Sequence, residues 1–266
     1  MTVQQMIRAD LLDAPAVEPL KGTLYDVATV EEGIGWIEPA DMFSTLNCMV
    51  SRTTSPTCGS AAAKTFDYPT WVDGAKFAAY GGVVCQGVGG NEDLLAEAEA
   101  AWTRGVESRA VEQGLVENVL SEVAAGNDKT PTPGTPVAPA AGLAILEEWA
   151  AGHYAGVPTI HIPRGIAQYL SQNGALKTDG SDWRTMVGSK VSAGGGYGLV
   201  NKGPNNAAAA SGGYWMWATG EVLVRRSGMV ARNELNRTTN ENIVLVERAF
   251  VTAVDCMSVA VQVKVP

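Results

Sequence analysis

The stretch from residue 91 to about residue 125 constrains the fold most, because it carries the longest helical pattern in the chain. Its apolar residues form one stripe at helical spacing, with some drift: Leu95, Ala98, Trp102, Val106, Val111, Leu115, Val119 and Val123. Charged residues cover the other side. A helix of this length would extend about 50 Å, so we expect a strut across a flat molecule. Gly105 and Gly114 predict a gentle bend, and the segment "AAGNDKTPTPGTPVAP" predicts a boundary after the helix.

The residues before this helix resemble a nucleotide-binding layout. Residues 81–102 read as an apolar strand, a glycine-rich turn and a helix start, which is the arrangement that cradles phosphate. Gly87, Gly89 and Gly90 are followed by Asn91 and two carboxylates, so the third glycine of the dinucleotide fingerprint is missing. The carboxylates occupy the positive end of the helix dipole and would repel a phosphate. We therefore interpret the segment as a chain reversal in which Asn91 is the N-cap.

The charge balance argues against a nucleic-acid reader. The chain has 28 acidic and 19 basic residues, a net charge of −9, and no basic run longer than Arg225-Arg226. With 266 residues, 46% of them hydrophobic, it can bury the core of one elaborate domain or of two lobes. The first 20 residues contain no continuous apolar run, so we predict neither a signal peptide nor a membrane anchor and expect a protein made and kept in the cytosol.

The cysteines and histidines do not suggest a metal site or a catalytic cluster. They are scattered and include no C-x-x-C pair: Cys48, Cys58, Cys85, Cys256, His153 and His161. A zinc site needs closely held thiolate or imidazole ligands. We predict no metal, no cofactor and no catalytic residue, and we interpret the cysteines as small buried hydrophobic residues in a reducing compartment.

A β-hairpin is predicted upstream of the long helix. Residues 64–84 alternate apolar or aromatic with polar side chains around Asp73-Gly74, which is a strong turn signal. The ribbon is too thin to bury its aromatic residues, so a partner surface should cover them. Residues 1 to about 48 show no period, which indicates an extended arm.

Alternating helices and strands follow the boundary. We predict a helix over residues 142–152, a short buried strand in "VPTIHIP", and a helix in "RGIAQYLSQNG" that ends at a C-cap glycine. Together these indicate a compact α/β lobe. The glycines of "VSAGGGYGLVNKGPNNAAAASGG", from Gly194 to Gly198, are interpreted as turns in a flexible surface loop. Strands are predicted in "YWMWATGEVLVRR" and over residues 241–265, where Val259 to Val265 alternate strictly.

This order of elements resembles the major capsid proteins of tailed phages of the Hong Kong 97 type. The most specific part is residues 222–255, where a strand, a polar stretch and an apolar strand bearing Glu247-Arg248 are similar to the ending of that family. "IPRGIAQYLSQNGAL" is similar to the strand and helix of its axial lobe. The resemblance covers nearly the whole chain.

The resemblance implies an α+β fold with an N-terminal arm, an extended β-hairpin loop, a long spine helix, peripheral β-strands and an axial α/β domain. The implied ranges are 1–48 for the arm, 49–88 for the extended loop, 89–128 for the spine helix, 129–225 for the axial domain and 226–266 for the returning peripheral strands. It also implies a structural protein that self-assembles into pentamers and hexamers of an icosahedral head. That head would be assembled in the host cytoplasm and would enclose double-stranded DNA without reading its sequence.

The resemblance also implies which residues contact neighbouring subunits and which partners take part. The contact residues expected from it are Phe66, Tyr68, Trp71, Lys76, Phe77, Tyr80, Glu247 and Arg248. The chain has no room for the scaffolding segment that precedes the arm in some members, so scaffolding would come from a separate protein. Portal and decoration proteins are further expected partners, and no membrane is expected.

The chain departs from those family members that cross-link covalently. The lysine-to-asparagine cross-link needs a glutamate, and Val246 occupies the place where that glutamate would fall. Thr239 occupies the place of the asparagine, next to Asn240. Although Lys64 and Lys76 offer amines, we predict that the cross-linking chemistry is absent.

Two other functions are compatible with the sequence. An encapsulin nanocompartment shares this fold but encloses enzymes instead of a genome. A soluble nucleotide-using enzyme could employ the loop from Gly194 to Gly198, although no acid–base or nucleophile constellation accompanies it.

Overall fold

The structure is a computed structural model that describes residues 18–33, 42–44, 71–86, 93–180, 182–236, 238–239 and 241–266. Its strands are β1 Thr29–Glu32, β2 Met42–Ser44, β3 Trp71–Asp73, β4 Ala75–Gln86, β5 Thr159–His161, β6 Leu176–Asp179, β7 Asp182–Thr185, β8 Lys190–Ser192, β9 Lys202–Gly203, β10 Ala207–Ala208, β11 Tyr214–Thr219, β12 Val222–Arg226, β13 Val230–Asn236, β14 Glu241–Val254 and β15 Ser258–Val263. Its α-helices are α1 Asp93–Ala101, α2 Glu107–Leu115, α3 Pro139–His153, α4 Arg164–Gln172 and α5 Gly196–Leu199. This mixture of helices and strands is the predicted α+β class.

The predicted long helix spans residues 93–120, which we call the long helix. A π-type turn, Trp102–Val106, joins α1 to α2, and a second one, Val116–Leu120, ends the helix. Gly105 leaves the helical conformation (φ 171°, ψ −9°), so the chain kinks at one of the two predicted glycines. Gly114 serves a different purpose: a Cβ there would overlap the ring of Phe77, so this glycine lets a strand residue approach the helix.

A five-stranded sheet packs on the first half of the long helix. Its central strand is β14, which pairs along one edge with β4 and along the other with β13 and then β12. β1 extends the sheet by pairing in parallel with β12. The helix covers one face, where Ala79, Val244 and Val246 are buried and where the ring of Trp102 would contact a Cβ at Gly81.

The predicted hairpin at Asp73-Gly74 is wrong. β3 ends at Asp73 and β4 begins at Ala75, so a single residue separates them, whereas a tight hairpin needs two. β3 pairs with β2, and β4 pairs with β14 over its whole length. The alternation that suggested two paired strands is real, but each strand finds its partner far away in the sequence.

A six-stranded sheet forms the second lobe, in the order β15-β11-β5-β8-β7-β6. Helices α3 and α4 cover one face through Leu146, Ile166 and Leu170, which pack on a core of strand residues. The second half of the long helix covers the opposite face, where Leu115 lies in the cluster that contains Trp217. The long helix therefore contacts both sheets. The three predicted elements of the lobe are present, and Gly174 follows α4 with a φ of 69°.

The pairing divides the chain differently from the ranges implied by the resemblance. β12, which falls in the axial range except for Arg226, pairs with β14 in the five-stranded sheet. β15, assigned to the peripheral range, pairs with β11 in the six-stranded sheet. The chain crosses between the sheets at Gly220-Glu221 and again between β14 and β15. The sequence does not show these crossings, because the alternation of a strand specifies which of its faces is buried but not which strand lies beside it.

Two local predictions are also wrong. Gly194 and Gly196 are not in a flexible surface loop: both are buried, and α5 begins at Gly196. A Cβ at Gly194 would overlap the carboxylate of Glu112, and one at Gly196 would overlap the carbonyl oxygen of Arg109, so these glycines allow the segment to lie against the long helix. Cys256 forms a disulfide, so it is not a free buried thiol.

Candidate interaction surfaces and buried polar groups

Glu107 of α2 lies at the centre of a buried ion cluster. Its side chain is 4% exposed and contacts Arg226 of β12 at 2.6 Å and Arg248 of β14 at 3.0 Å. Tyr25 donates its hydroxyl to Glu107 at 2.7 Å. Arg226 also contacts Glu32 of β1 at 2.6 Å. The cluster thus joins the long helix, the five-stranded sheet and the segment of residues 18–33, which we call the N-terminal strap.

Burial raises the pKa of Glu107, but the hydrogen bonds from Tyr25 and Arg226 and the charge of Arg248 outweigh it, and the pKa lies below its usual value. Burial and the neighbouring carboxylate of Glu107 raise the pKa of Tyr25, so its hydroxyl keeps the proton that it donates to Glu107. Arg248 also donates to the carbonyl oxygen of Ser227 at 2.7 Å. The cluster is an ion pair with its hydrogen bonds satisfied.

Glu112 is a second buried carboxylate on the same helix, and it is fully buried. Its two oxygens accept backbone N–H groups from Leu24 of the N-terminal strap at 3.0 Å and from Gly196 of α5 at 2.8 Å. Burial raises the pKa of Glu112 to about 7, although the two N–H donors and the charge of Arg164 act in the opposite direction. Glu112 therefore holds two backbone segments against the long helix, and no cation of the described residues forms an ion pair with it.

His161 of β5 belongs to a separate buried network. Its ring nitrogens contact the hydroxyls of Tyr197 at 2.9 Å and of Thr219 at 2.8 Å, and the Tyr197 hydroxyl also contacts Ser192. Burial lowers the pKa of His161 to about 3, so the imidazole is neutral. Because the imidazole is fully buried, a substrate in solvent has no access to it.

These groups hold the fold together and do not form an open reaction site. In the ranges that the structure describes, no three His, Cys, Asp or Glu side chains are grouped so that they could hold a metal ion. No helix within the described ranges is both long and apolar enough to cross a membrane.

The predicted contact residues fall into several environments. Phe66 and Tyr68 lie outside the described residues, and Trp71 is described only as part of β3. The Phe77 ring packs within its own chain, against Gly114 and 5.6 Å from the ring of Phe250.

Two of the predicted contact residues on β4 lie at the surface. Lys76 is exposed, and Tyr80 is 74% exposed. Tyr80 is therefore the aromatic residue of β4 that is available to another molecule.

Glu247 and Arg248 lie on opposite faces of β14. Arg248 points into the ion cluster with 14% of its side chain exposed, so its guanidinium is engaged within the chain. Glu247 points to the opposite face and pairs with Arg232 of β13. That pairing lies on the face of the sheet that the long helix leaves uncovered.

The uncovered face of the five-stranded sheet is a candidate contact surface. The register places Tyr80 beside Glu247 and Val84 beside Ile243, while Leu245 lies between them. Tyr80 and Val84 are 74% and 59% exposed. We call these residues, with Arg232, the outer sheet face; it combines apolar side chains with one ion pair, as protein interfaces do.

A groove in the second lobe is a further candidate. It has a volume of about 730 Å³ and lies between α3, with Leu143 and Glu147, and the turn that joins β7 to β8. Met186 and Val187 at this turn are 59% and 78% exposed. Ser189 donates to Glu147 at 2.6 Å across the groove.

Sequence reasoning missed the ion cluster and Glu112. Arg225-Arg226 and Glu247-Arg248 are adjacent in the sequence, but nothing in the sequence connects them to Glu107, which is 119 positions from Arg226. One signal in the sequence is that Glu107 and Glu112 border the apolar stripe of the long helix. Because a helix that contacts two sheets has little exposed surface, carboxylates beside the stripe can be buried and need partners.

Comparisons with known proteins identify the fold. No protein-family model and no curated protein sequence matches the chain. Among solved structures, the mature capsid of bacteriophage PhiM1 matches with a TM-score of 0.51 and 9% identity, over 97% of this chain and 91% of that one. The capsid of Ralstonia phage GP4 matches with a TM-score of 0.51 and 9% identity, over 98% and 96%. An encapsulin complex from Synechococcus elongatus matches with a TM-score of 0.51 and 14% identity, over 96% and 93%.

These matches show that the chain has the α+β fold of the Hong Kong 97 type of capsid protein. Each match covers nearly the whole of both chains, so it includes both sheets and the long helix. The predicted resemblance is confirmed at the level of the fold.

Proposed function

We propose that this chain, which has the fold of capsid subunits, is the structural subunit of a closed protein shell, and more specifically the major capsid protein of an icosahedral phage head. Pentamers and hexamers would be its assembly units. The observation that carries the shell-subunit proposal is the match to two phage capsids and an encapsulin over nearly all of both chains.

The surfaces of the isolated subunit support this proposal. The outer sheet face and the turn at Met186 and Val187 expose large apolar side chains, which a lone subunit would leave in water. The buried charged groups, in contrast, are satisfied inside the chain. Among the predicted aromatic contacts, Tyr80 is 74% exposed, and an adjacent subunit would cover it.

The net charge is compatible with an enclosed genome. With a formal charge of −9, the subunit would repel phosphate overall, so packaged double-stranded DNA would stay mobile inside the shell. A separate scaffolding protein, a portal and decoration proteins are the proposed partners. The shell would be assembled in the host cytoplasm and would end in the virion.

An encapsulin shell is the second candidate. The encapsulin match has the same TM-score, 0.51, as the two phage capsids, so fold similarity favours neither. Co-purification of an enzyme bound through a short peptide at the inner wall would support the encapsulin. A gene product that fills one vertex as a portal would support the phage head.

Non-covalent contacts would hold the proposed shell. Val246, at the place where cross-linking members have a glutamate, is 1% exposed and lies under the long helix. An aliphatic side chain cannot remove the proton from a lysine ammonium group. Mature shells boiled in detergent and reductant should run as one band at 27.8 kDa, and a ladder of heavier bands would contradict this mechanism.

The test of the function is electron microscopy of the purified protein. Recombinant subunits, alone and with a candidate scaffolding protein, should yield closed hollow shells of uniform diameter in negative stain. A protein that stays monomeric at high concentration with scaffold supplied would refute the proposal.

A substitution at Tyr80 tests the outer sheet face. Tyr80→Asp should leave the circular dichroism spectrum unchanged but block shell formation, because one buried aromatic anchor can contribute about 2 kcal/mol to an interface. Tyr80→Phe is the matched control and should assemble. Normal shells from the Asp variant would exclude Tyr80 from the contacts.

A further inference from the structure

The edge of β13 is open to another strand. β13 pairs with β14 on one side, and no other strand among the described residues pairs with it. The residues from Arg232 to Asn236 are exposed, and Leu235 is 58% exposed. The pairing with β14 runs without interruption from Val230 to Asn236, so no bulge twists this edge away.

The charges along β13 are arranged symmetrically around Asn233. The strand reads Val-Ala-Arg-Asn-Glu-Leu-Asn, with Arg232 before and Glu234 after the central residue. When two copies pair antiparallel about a two-fold axis at Asn233, Arg232 of each copy lies opposite Glu234 of the other. On the other face, Ala231 lies opposite Leu235.

Other registers are less favourable. Residues directly opposite each other in a ladder must project from the same face, so the two-fold axis must pass through a residue and not between two residues. An axis at Arg232 would place two arginines opposite each other, and an axis at Glu234 would place two glutamates opposite each other, which is destabilising. The axis at Asn233 is also the one that pairs all seven residues.

The ion pairs that Arg232 and Glu234 form within one chain are compatible with this register. Arg232 pairs with Glu247 within its own chain, and Glu234 forms no ion pair with a described residue. Glu234 of a second copy would approach Arg232 from the open edge, whereas Glu247 approaches it from β14. The arginine would then lie between two carboxylates, one from each copy.

We propose that β13 pairs antiparallel with β13 of a second copy about a two-fold axis at Asn233, which joins two five-stranded sheets into one continuous sheet. The occupant of the open edge is thus a second copy of this chain, selected by the complementary order of Arg232 and Glu234. The inference rests on the proposed function, since in a shell this contact would link subunits of neighbouring pentamers or hexamers. Charges on an edge strand usually discourage pairing, but this order attracts an antiparallel copy.

A cysteine at the axis tests the register directly. Residues directly opposite in an antiparallel pair have Cα atoms about 4.5–5.5 Å apart, within the range of a disulfide. Shells of the Asn233→Cys variant, oxidised or treated with a short bismaleimide, should give at least half of the chain as a cross-linked dimer. The matched control, Glu117→Cys on the exposed side of the long helix, should give less than a tenth, as should the wild type with its native cysteines.

A charge swap provides an independent test. Glu234→Arg should place arginines against arginines and lower the yield of shells, or of dimers in solution, at least tenfold. The double variant Arg232→Glu/Glu234→Arg restores opposite charges across the axis and should recover most of the yield. Glu117→Arg is the control for a charge change of the same size and should assemble normally.

The outcomes separate this proposal from the proposed function. Shells that form without an Asn233→Cys dimer would overturn the β13 pairing and leave the shell function intact. If the wild type forms no shells, the cross-link is measured on concentrated subunits, where a dimer supports the pairing and its absence overturns it. A double variant no better than Glu234→Arg would also count against the charge register.

Discussion

Glu107 and Glu112 lie on the same helix and are both buried, yet their pKa values shift in opposite directions. They point about 140° apart around the helix, so Glu107 faces the five-stranded sheet and Glu112 faces the glycine segment before α5. Glu107 has two arginine partners and a pKa below its usual value. Glu112 has two backbone N–H donors and a pKa raised to about 7.

The difference shows that hydrogen bonds alone do not keep a buried carboxylate ionised. Burial disfavours the charged form of both groups. At Glu112, two backbone N–H donors offset only part of the pKa increase that burial causes. At Glu107, two guanidinium groups and a tyrosine hydroxyl offset all of that increase. Each residue still joins the N-terminal strap to the long helix, one through Tyr25 and the other through Leu24.

The two glutamates should also respond to pH in opposite directions. The folded-state pKa of Glu112 lies above its ordinary value of 4.5, so its contribution to stability is fully present below pH 4.5 and is lost as the pH rises to about 7. The pKa of Glu107 is lowered, so its contribution is present above pH 4.5 and is lost as the pH falls below that value.

The largest expected effect is that of removing the charge of Glu107. Glu107→Gln would leave Arg226 and Arg248 without their shared carboxylate and should lower the free energy of unfolding by about 3 kcal/mol. Chemical denaturation at pH 7 measures this. Glu117→Gln, on the exposed side of the helix, is the control, and a loss below about 1 kcal/mol at Glu107 would mean that the cluster is not the buried ion pair described.

The next largest effect concerns the glycines that face Glu112. Gly196→Ala would place a methyl group against the backbone of Arg109 and should cost about 1–3 kcal/mol through overpacking. Gly198→Ala is the matched control in the same short helix, because a Cβ there meets open space. Thermal unfolding of both variants compares them, and equal stabilities would contradict the close contact at Gly196.

A smaller effect, visible mainly as a pH dependence, is expected for Glu112→Gln. The amide cannot ionise, so the stability of the variant relative to the wild type should improve as the pH rises from about 4.5 to 7 and then stay constant. Melting temperatures across this range provide the measurement. A relative stability that is flat with pH would show that Glu112 titrates normally.

The smallest effect is expected at Arg225, the neighbour of Arg226 on the opposite face of β12. Arg225 pairs with Glu31 at 3.2 Å, where the two side chains are 28% and 51% exposed. Arg225→Gln should change the free energy of unfolding by about 1 kcal/mol or less, because Glu31 is half exposed and solvent screens its charge. An effect as large as that of Glu107→Gln would show that the Arg225–Glu31 pair stabilises the fold as much as the buried cluster does.

Local patterns predicted the elements of the fold more successfully than their partners. The stripe from Leu95 to Leu115 indicated the long helix, and the apolar positions around Leu143 and Ile166 indicated α3 and α4. The turn signal at Asp73-Gly74 failed because β4 pairs with β14, more than 150 residues later in the chain. The same limitation hid the contact between Glu107 and Arg226, since a helix residue and a strand residue share no pattern.

The sequence by itself determined the long helix with a bend at one of its glycines and the alternation of the strands, because these depend on residues a few positions apart. The α+β class followed from the resemblance of the element order to capsid proteins. Only the tertiary structure decided that the kink lies at Gly105, that β12 and β15 belong to different sheets, and that Gly194 and Gly196 lie against Glu112. It also decided that Arg248 joins the ion cluster while Glu247 lies on the opposite face of β14. Those outcomes depend on which distant surfaces meet, and periodicity contains no information about distant partners.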